Sequence, residues 1–242
     1  MGRLPGEGRD DWFRSPAWDA EEEERFEARL RRARRSNQAQ YLRIKGLALT
    51  AEGDSHREVG RALLGRVIHD HPDSPGEVAG AHFALGESFA EEGRFAESET
   101  ELRACLEMEA DCHVFHGTEL RLAEVLVESD DPRRRLDAWE LLDAAEANGL
   151  TFRSELWRAC VTRVRLLAAA GERDEAAALA EHTLAMLLDD TPRFPRHPTV
   201  GLISADPSTI EELRRIARPV SPPRPVNPRR RARRPDTDAS AP

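Results

Sequence analysis

The sequence predicts an all-α chain built as a row of helical hairpins, and three observations carry that prediction. The stretch AHFALGESFAEEGRFAESETELRACLEMEA, residues 81–110, places Ala81, Ala84, Leu85, Ser88 and Phe89 at three- and four-residue spacing. It stops at Gly93, then puts Phe95, Ser98, Leu102, Cys105 and Leu106 on one face of a second helix, with Glu and Arg opposite. Weaker copies flank it: Gly46 and Gly53 stand 40 residues before Gly86 and Gly93, Ala123 stands 37 after Gly86, and Val164 another 41 beyond. Finally, aromatic residues make up 5% of the 242 residues and hydrophobic ones 39%, which suits thin helical layers better than a thick core. Two such helices cannot bury their faces alone, so each pair needs its neighbours.

Residues 1–36 form an N-terminal segment. Trp12, Phe13 and Trp18 are its densest aromatic cluster, expected to cover the open end of the array; a partner-binding patch is the alternative. Asp19 with Glu22 signals a helix start, and the helix is predicted over Ala20 to Arg35 with Phe26, Leu30 and Ala33 inward. Its Glu21 to Glu24 and its Arg31, Arg32, Arg34 and Arg35 lie in the order the helix dipole favours.

The repeats fill residues 37–190. Gln38 to Glu52 turns Tyr41, Leu42, Ile44 and Leu49 inward. Ser55 with Glu58 reads as a capping box for His56 to His69, which carries Val59, Ala62, Leu63, Val67 and Ile68. Ser74, Pro75 and Glu77 then open the central unit as N-cap, first-turn proline and reach-back carboxylate. A third pair is predicted from Phe115 to Glu128, with Leu122, Ala123 and Leu126, and from Asp131-Pro132 to Gly149, with Leu136, Trp139, Leu142 and Ala145. Ser154 to Ala170 and Arg173 to Leu188 form the fourth pair around Gly171, marked by Val164, Leu167, Ala176, Ala180 and Leu184.

Residues 191–217 combine a proline-broken linker with a short capping helix opened by Ser208 and Glu211, whose Ile210, Leu213 and Ile216 are available to cover the last repeat. Residues 218–242 are Pro- and Arg-rich with almost no core formers, the composition of a disordered tail. The tail holds seven Arg and two Asp, a charge of +5, which leaves −14 on the rest of a chain whose net charge is −9. So acidic a body is not expected to bind nucleic acid. The 36 basic residues include a single lysine, Lys45, a bias that points to a high-GC bacterial genome. No run of about twenty apolar residues exists, and MGRLPGEGRDDWF lacks the apolar core of a signal peptide, so no membrane partner and a cytoplasmic location are expected. Cys105, Cys112 and Cys160 are an odd count without framework spacing, expected as reduced thiols, with Cys105 a small core residue.

The central unit resembles a tetratricopeptide repeat. Leu85–Gly86 stands where that family has its Leu–Gly pair, Phe89 where it has Tyr, Gly93 and Phe95 where it turns, and Ser98, Leu102 and Cys105 where it has small, aromatic and small residues. Departures are His82 in place of Trp and Ala110 in place of Pro. The resemblance spans roughly residues 38–188 and implies a right-handed α-solenoid of about four repeats, with an N-terminal helix and a C-terminal cap. Spacings of 37 to 41 exceed the family's usual period of about 34, so Heat-type repeats of about 40 residues are the structural alternative. The stretch from Trp12 through Arg43 also resembles a bacterial subfamily of these repeats, which assigns no activity.

In that family the first helix of each pair lines a concave groove. The resemblance therefore implies groove positions at Gln40, Arg43 and Leu47, then Phe83, Glu87 and Glu91, then Leu120, Glu124 and Glu128, and last Arg158, Val161 and Arg165. Such a groove would be acidic in the middle and bounded by Arg at both ends, a complement for a basic peptide. The expected function is a protein- or peptide-binding scaffold without catalysis. The alternative is that the basic tail binds nucleic acid or another anionic partner while the repeats tether or dimerise, or that the tail docks in the chain's own groove. No Gly-x-Ser-x-Gly elbow, phosphate-binding glycine loop or His-Glu-x-x-His helix is present, so no enzyme and no cofactor are expected. Cys112, His113 and His116 are the best local metal candidates, with His69, His71 and Asp73 a similar case; an ordinary helix start is the preferred reading of the first, and no metal is expected.

Overall fold

The computed structural model describes residues 12–112, 116–150, 152–189, 191, 196–197 and 199–218. The first eleven residues, His113, much of the proline-rich linker and the basic tail beyond Arg218 lie outside the described residues. Among the described residues the chain forms ten α-helices and no strand. They are α1 (Ala20–Arg32), α2 (Arg35–Ala51), α3 (Asp54–Asp70), α4 (Pro75–Glu91), α5 (Phe95–Cys112), α6 (Thr118–Val127), α7 (Pro132–Ala147), α8 (Arg153–Ala170), α9 (Arg173–Ala185) and α10 (Pro207–Ala217).

The helices pack as consecutive pairs, α2 with α3, α4 with α5, α6 with α7 and α8 with α9. The second helices begin at 54, 95, 132 and 173, intervals of 41, 37 and 41 residues. Successive pairs dock through α3 on α4 and α5 on α6, the first helices touch as α2 with α4 and α6 with α8, and α10 rests on α9 and α8. The glycine stops follow the sequence reading: Gly93 has φ 72° and Gly171 φ 84°, backbone that side chains disfavour.

Small residues let the paired helices approach. A Cβ added to Gly86 would stand 2.7 Å from Leu102 Cγ, and Ser98 Oγ donates to the Gly86 carbonyl at 2.8 Å. Between α2 and α3 the crossing is tighter. A Cβ on Gly60 would stand 2.8 Å from the Gly46 carbonyl oxygen and 2.9 Å from Thr50 N, backbone atoms of the facing helix.

Several helix ends differ from the sequence expectation. α1 stops at Arg32 because Ala33 turns extended and the Gln38 side chain donates to the carbonyls of Leu30 and Ala33, both at 3.1 Å. Arg34 and Arg35 therefore open α2 instead of closing α1, and the favourable dipole order holds only for Arg29, Arg31 and Arg32. Asp19 caps α1 as expected, accepting from Glu22 N at 2.8 Å. Ser55 does not cap α3, which starts at Asp54 behind Gly53, two residues before the expected His56. Ser74 makes no side-chain cap, and Glu77 reaches across to Arg43 at 2.6 Å. α6 is shorter than predicted and opens behind Gly117, with φ 74°. α9 tightens into a 3-10 turn at Met186–Leu188. Asp206 caps α10 in place of Ser208, accepting from Ser208 N at 2.9 Å and Thr209 N at 3.3 Å.

Burial is shared among three apolar clusters. Phe26, Leu30, Leu42, Leu49, Leu63, Leu64 and Val67 form the first, under Trp12, Phe13, Trp18 and Tyr41. The Phe13 and Tyr41 rings stack at 4.5 Å, and Trp12 lies 5.2 Å from both Phe26 and Tyr41, so the aromatic cluster covers the end of the array. Leu102, Leu120, Leu122, Leu126, Leu142 and Leu166 form the second; Trp157, Val161, Val164, Ala180 and Leu213 form the third. Three residues expected inward are exposed: Ala62, Phe95 and Leu136. Leu136 lies about 200° around α7 from buried Ala138, which sets the apolar face there.

The largest surprise inside is Lys45, with 0% of its surface exposed. Its ammonium donates to the carbonyls of Ser15 at 2.7 Å and Ala17 at 3.0 Å, sits 3.6 Å from Glu22 Oε1, and lies over the Trp18 ring at 5.2 Å. Burial lowers its pKa, against the pull of Glu22.

Candidate functional site

The first helices α4, α6 and α8 present one face carrying Glu87, Arg121, Glu124, Arg158 and Arg165. Each carboxylate meets a guanidinium of the next pair. Glu87 pairs with Arg121, Arg121 with Glu124 at 3.0 Å, and Glu124 takes two hydrogen bonds from Arg158, both 2.6 Å. Arg165 bonds Glu212 of α10 at 2.8 Å and Glu128 at 3.2 Å. Burial opposes the charge on Arg158 and Arg165, but the bonds and charges of Glu124 and Glu212 outweigh it, and both pKa values are raised.

This face bounds a cleft of about 410 Å³, with Trp157, Val125 and Val161 as its apolar wall. Trp157 is 6% exposed, and its indole N–H has no hydrogen-bond partner among the described residues. A second cleft of about 430 Å³ shares Glu87 and Arg158 and continues past Phe83, His116, Leu120, Asn148 and Phe152. There the Phe83 and His116 rings stack at 5.5 Å.

Seven of the expected groove residues thus line one or both clefts: Phe83, Glu87, Leu120, Glu124, Glu128, Arg158 and Arg165, together with Val161. Leu120 is floor, at 2% exposure. Gln40, Arg43, Leu47 and Glu91 line neither; Arg43 is engaged with Glu77 at 2.6 Å, and Leu47 is 38% exposed on α2. The expected acidic centre is corrected. Three Glu and three Arg line the first cleft, because Arg158 and Arg165 reach in from α8 and because Arg121 joins them. Arg121 is not among the groove positions the resemblance implies; its signal in the sequence is a spacing of 34 residues from Glu87, the same as Glu124 to Arg158.

No protein-family model, curated protein or solved structure matches the chain.

A second constellation lies at the α5–α6 connection. Cys105, Glu109 and His116 bring a sulfur, a carboxylate oxygen and a ring nitrogen within 4.8 Å of one another. Glu109 Oε1 accepts from His116 N at 2.7 Å and Thr118 Oγ1 at 2.9 Å and lies 2.9 Å from His116 Nδ1. Burial, opposed by the Thr118 hydroxyl and helped by the Glu109 charge, pushes the Cys105 thiol up to about 12. Of the metal candidates in the sequence reading only His116 belongs to this group; His113 lies outside the described residues, and His69, His71 and Asp73 form no such group. Cys105 and Glu109, four residues apart on one face of α5, were the readable signal.

Proposed function

We propose that the chain is a tetratricopeptide-like repeat protein, a right-handed solenoid that binds an extended protein segment along the face of its first helices and performs no catalysis. The observation that carries this reading is the cleft between α4, α6 and α8, where partly exposed ion pairs sit beside an apolar wall of Trp157, Val125 and Val161. Paired charges at the rim of a cleft can exchange partners with a ligand at little electrostatic cost, while Trp157, Val125 and Val161 offer apolar surface to its side chains. With three Glu against three Arg, the cleft suits a segment carrying both signs of charge, in place of the purely basic one its carboxylates alone would take.

Phage-displayed random peptides panned against the full chain test this. Enriched peptides should bind with micromolar affinity by calorimetry and lose about 10-fold or more when Arg158 or Arg121 is changed to Gln, as expected for one charge-assisted bond. Affinities unchanged in both variants would sink the cleft assignment.

A further inference from the structure

We propose that Cys105, Glu109 and His116 form a zinc site that staples the end of α5 to the start of α6. The three donors come from a helix and the connection that follows it, and they already converge within 4.8 Å. Zinc bonds of about 2.0–2.3 Å hold tetrahedral ligand atoms roughly 3.3–3.8 Å apart, so side-chain shifts of about half an ångström close the site. Backbone geometry assists. Gly117, with φ 74°, turns the chain so that His116 comes back over α5.

Glu109 supplies the second observation. It is 3% exposed, and its Oε2 is buried with no hydrogen-bond partner among the described residues. A carboxylate oxygen hidden from water needs a donor or a cation, and a divalent ion satisfies it while cancelling the charge. Oε1, meanwhile, is held by the His116 amide and the Thr118 hydroxyl, the kind of support that aims a ligand carboxylate. Cys105, with 0% exposure, is tied to the same pair of groups, because the Thr118 hydroxyl that donates to Glu109 Oε1 at 2.9 Å also lies 3.4 Å from its sulfur.

One sulfur, one imidazole nitrogen and one carboxylate oxygen suit zinc and exclude the all-oxygen preference of calcium and magnesium. On binding, zinc takes the place of the Cys105 thiol proton and of any proton on His116 Nδ1, releasing them to solvent, and water fills the fourth position. His116 also stacks on Phe83 in the wall of the second cleft, so the ion would fix that wall. The site stands independently of peptide binding.

The test is a cobalt titration of the full chain after EDTA treatment, read by absorption, followed by zinc displacement in competition with a chromophoric chelator. One Co²⁺ per chain with a thiolate charge-transfer band is expected, displaced by one Zn²⁺. Cys105→Ser should abolish the band, His116→Asn should weaken zinc about 100-fold or more, and Cys160→Ser should leave both unchanged. Circular dichroism checks that each variant is folded, and the unsubstituted chain decides the matter even where a variant is not. No cobalt bound, cobalt bound without a thiolate band, or a band that survives Cys105→Ser in a folded variant would overturn the proposal.

Discussion

Gly60→Ala adds one methyl group where α3 crosses α2. That carbon would lie 2.8 Å from the Gly46 carbonyl oxygen, 2.8 Å from Thr50 Cγ2 and 2.9 Å from Thr50 N. Ordinary contacts of this kind run to about 3.5 Å, so the two helices must part by roughly 0.7 Å. Two of the three obstacles are backbone and cannot rotate away. Overpacking then costs about 2–3 kcal/mol, in the upper part of its usual range. Alanine returns about 1 kcal/mol of helix propensity, leaving a net loss of about 1–2 kcal/mol. Gly65 is the internal control. It lies on the same helix with nothing within 4 Å of its would-be Cβ, so Gly65→Ala should stabilise by about 1 kcal/mol from propensity alone. Two identical substitutions five residues apart should therefore differ by about 2–3 kcal/mol and have opposite signs. Urea unfolding followed by tryptophan fluorescence, with unchanged slope, measures both. If Gly60→Ala matched or exceeded the unsubstituted chain in stability, the backbone-to-backbone crossing of α2 and α3 would be wrong.

Lys45→Ala should cost about 3 kcal/mol or more, since it strands two carbonyls and leaves a cavity beneath the aromatic cover; a loss under about 1 kcal/mol in the same urea assay would contradict the buried ammonium. Arg61, with help from Arg57, holds the Glu92 carboxyl down at about 2 against an ordinary 4.5. Its contribution to stability is thus present above pH 4.5 and fades as pH falls toward 2, and Glu92→Gln should flatten that part of the acid-unfolding curve. Burial first, then the Glu109 and Cys112 charges, lift the Cys105 thiol to about 12 from 9.0, against the Thr118 hydroxyl, so its share of stability is full below pH 9.0 and lost as pH approaches 12. In EDTA-treated native chain, iodoacetamide at neutral pH should leave Cys105 unmodified by mass spectrometry until urea unfolds it; rapid labelling would refute its burial.

The hairpin count and the glycine stops were legible because period and punctuation are local properties of a sequence. Gly86 and Ser98 were legible for the same reason: a small residue repeated at a fixed interval announces a close approach. Lys45 was not. A lysine in an apolar stripe looks like a degenerate repeat, and the carbonyls that satisfy it belong to Ser15 and Ala17, 30 and 28 residues away. The first cleft falls between these cases: Glu87, Glu124 and Arg158 are legible as one face of each first helix, whereas their pairing with a guanidinium 34 residues downstream depends on how successive hairpins stack, which no local period announces. The α1–α2 break hid behind a run of arginines whose composition fits either helix, and a single glutamine side chain decides where the turn falls.

Lys45 is the one lysine in the 242 residues, and none of its surface is exposed. Every other side chain in the sequence that carries a permanent positive charge is a guanidinium. Side-chain acylation, isopeptide conjugation and amine-directed cross-linking consequently find no nucleophilic lysine on the native surface. Any such adduct at Lys45 would report that the aromatic lid formed by Trp12, Phe13 and Trp18 had first come away, which makes amine labelling a selective gauge of opening at that end of the molecule.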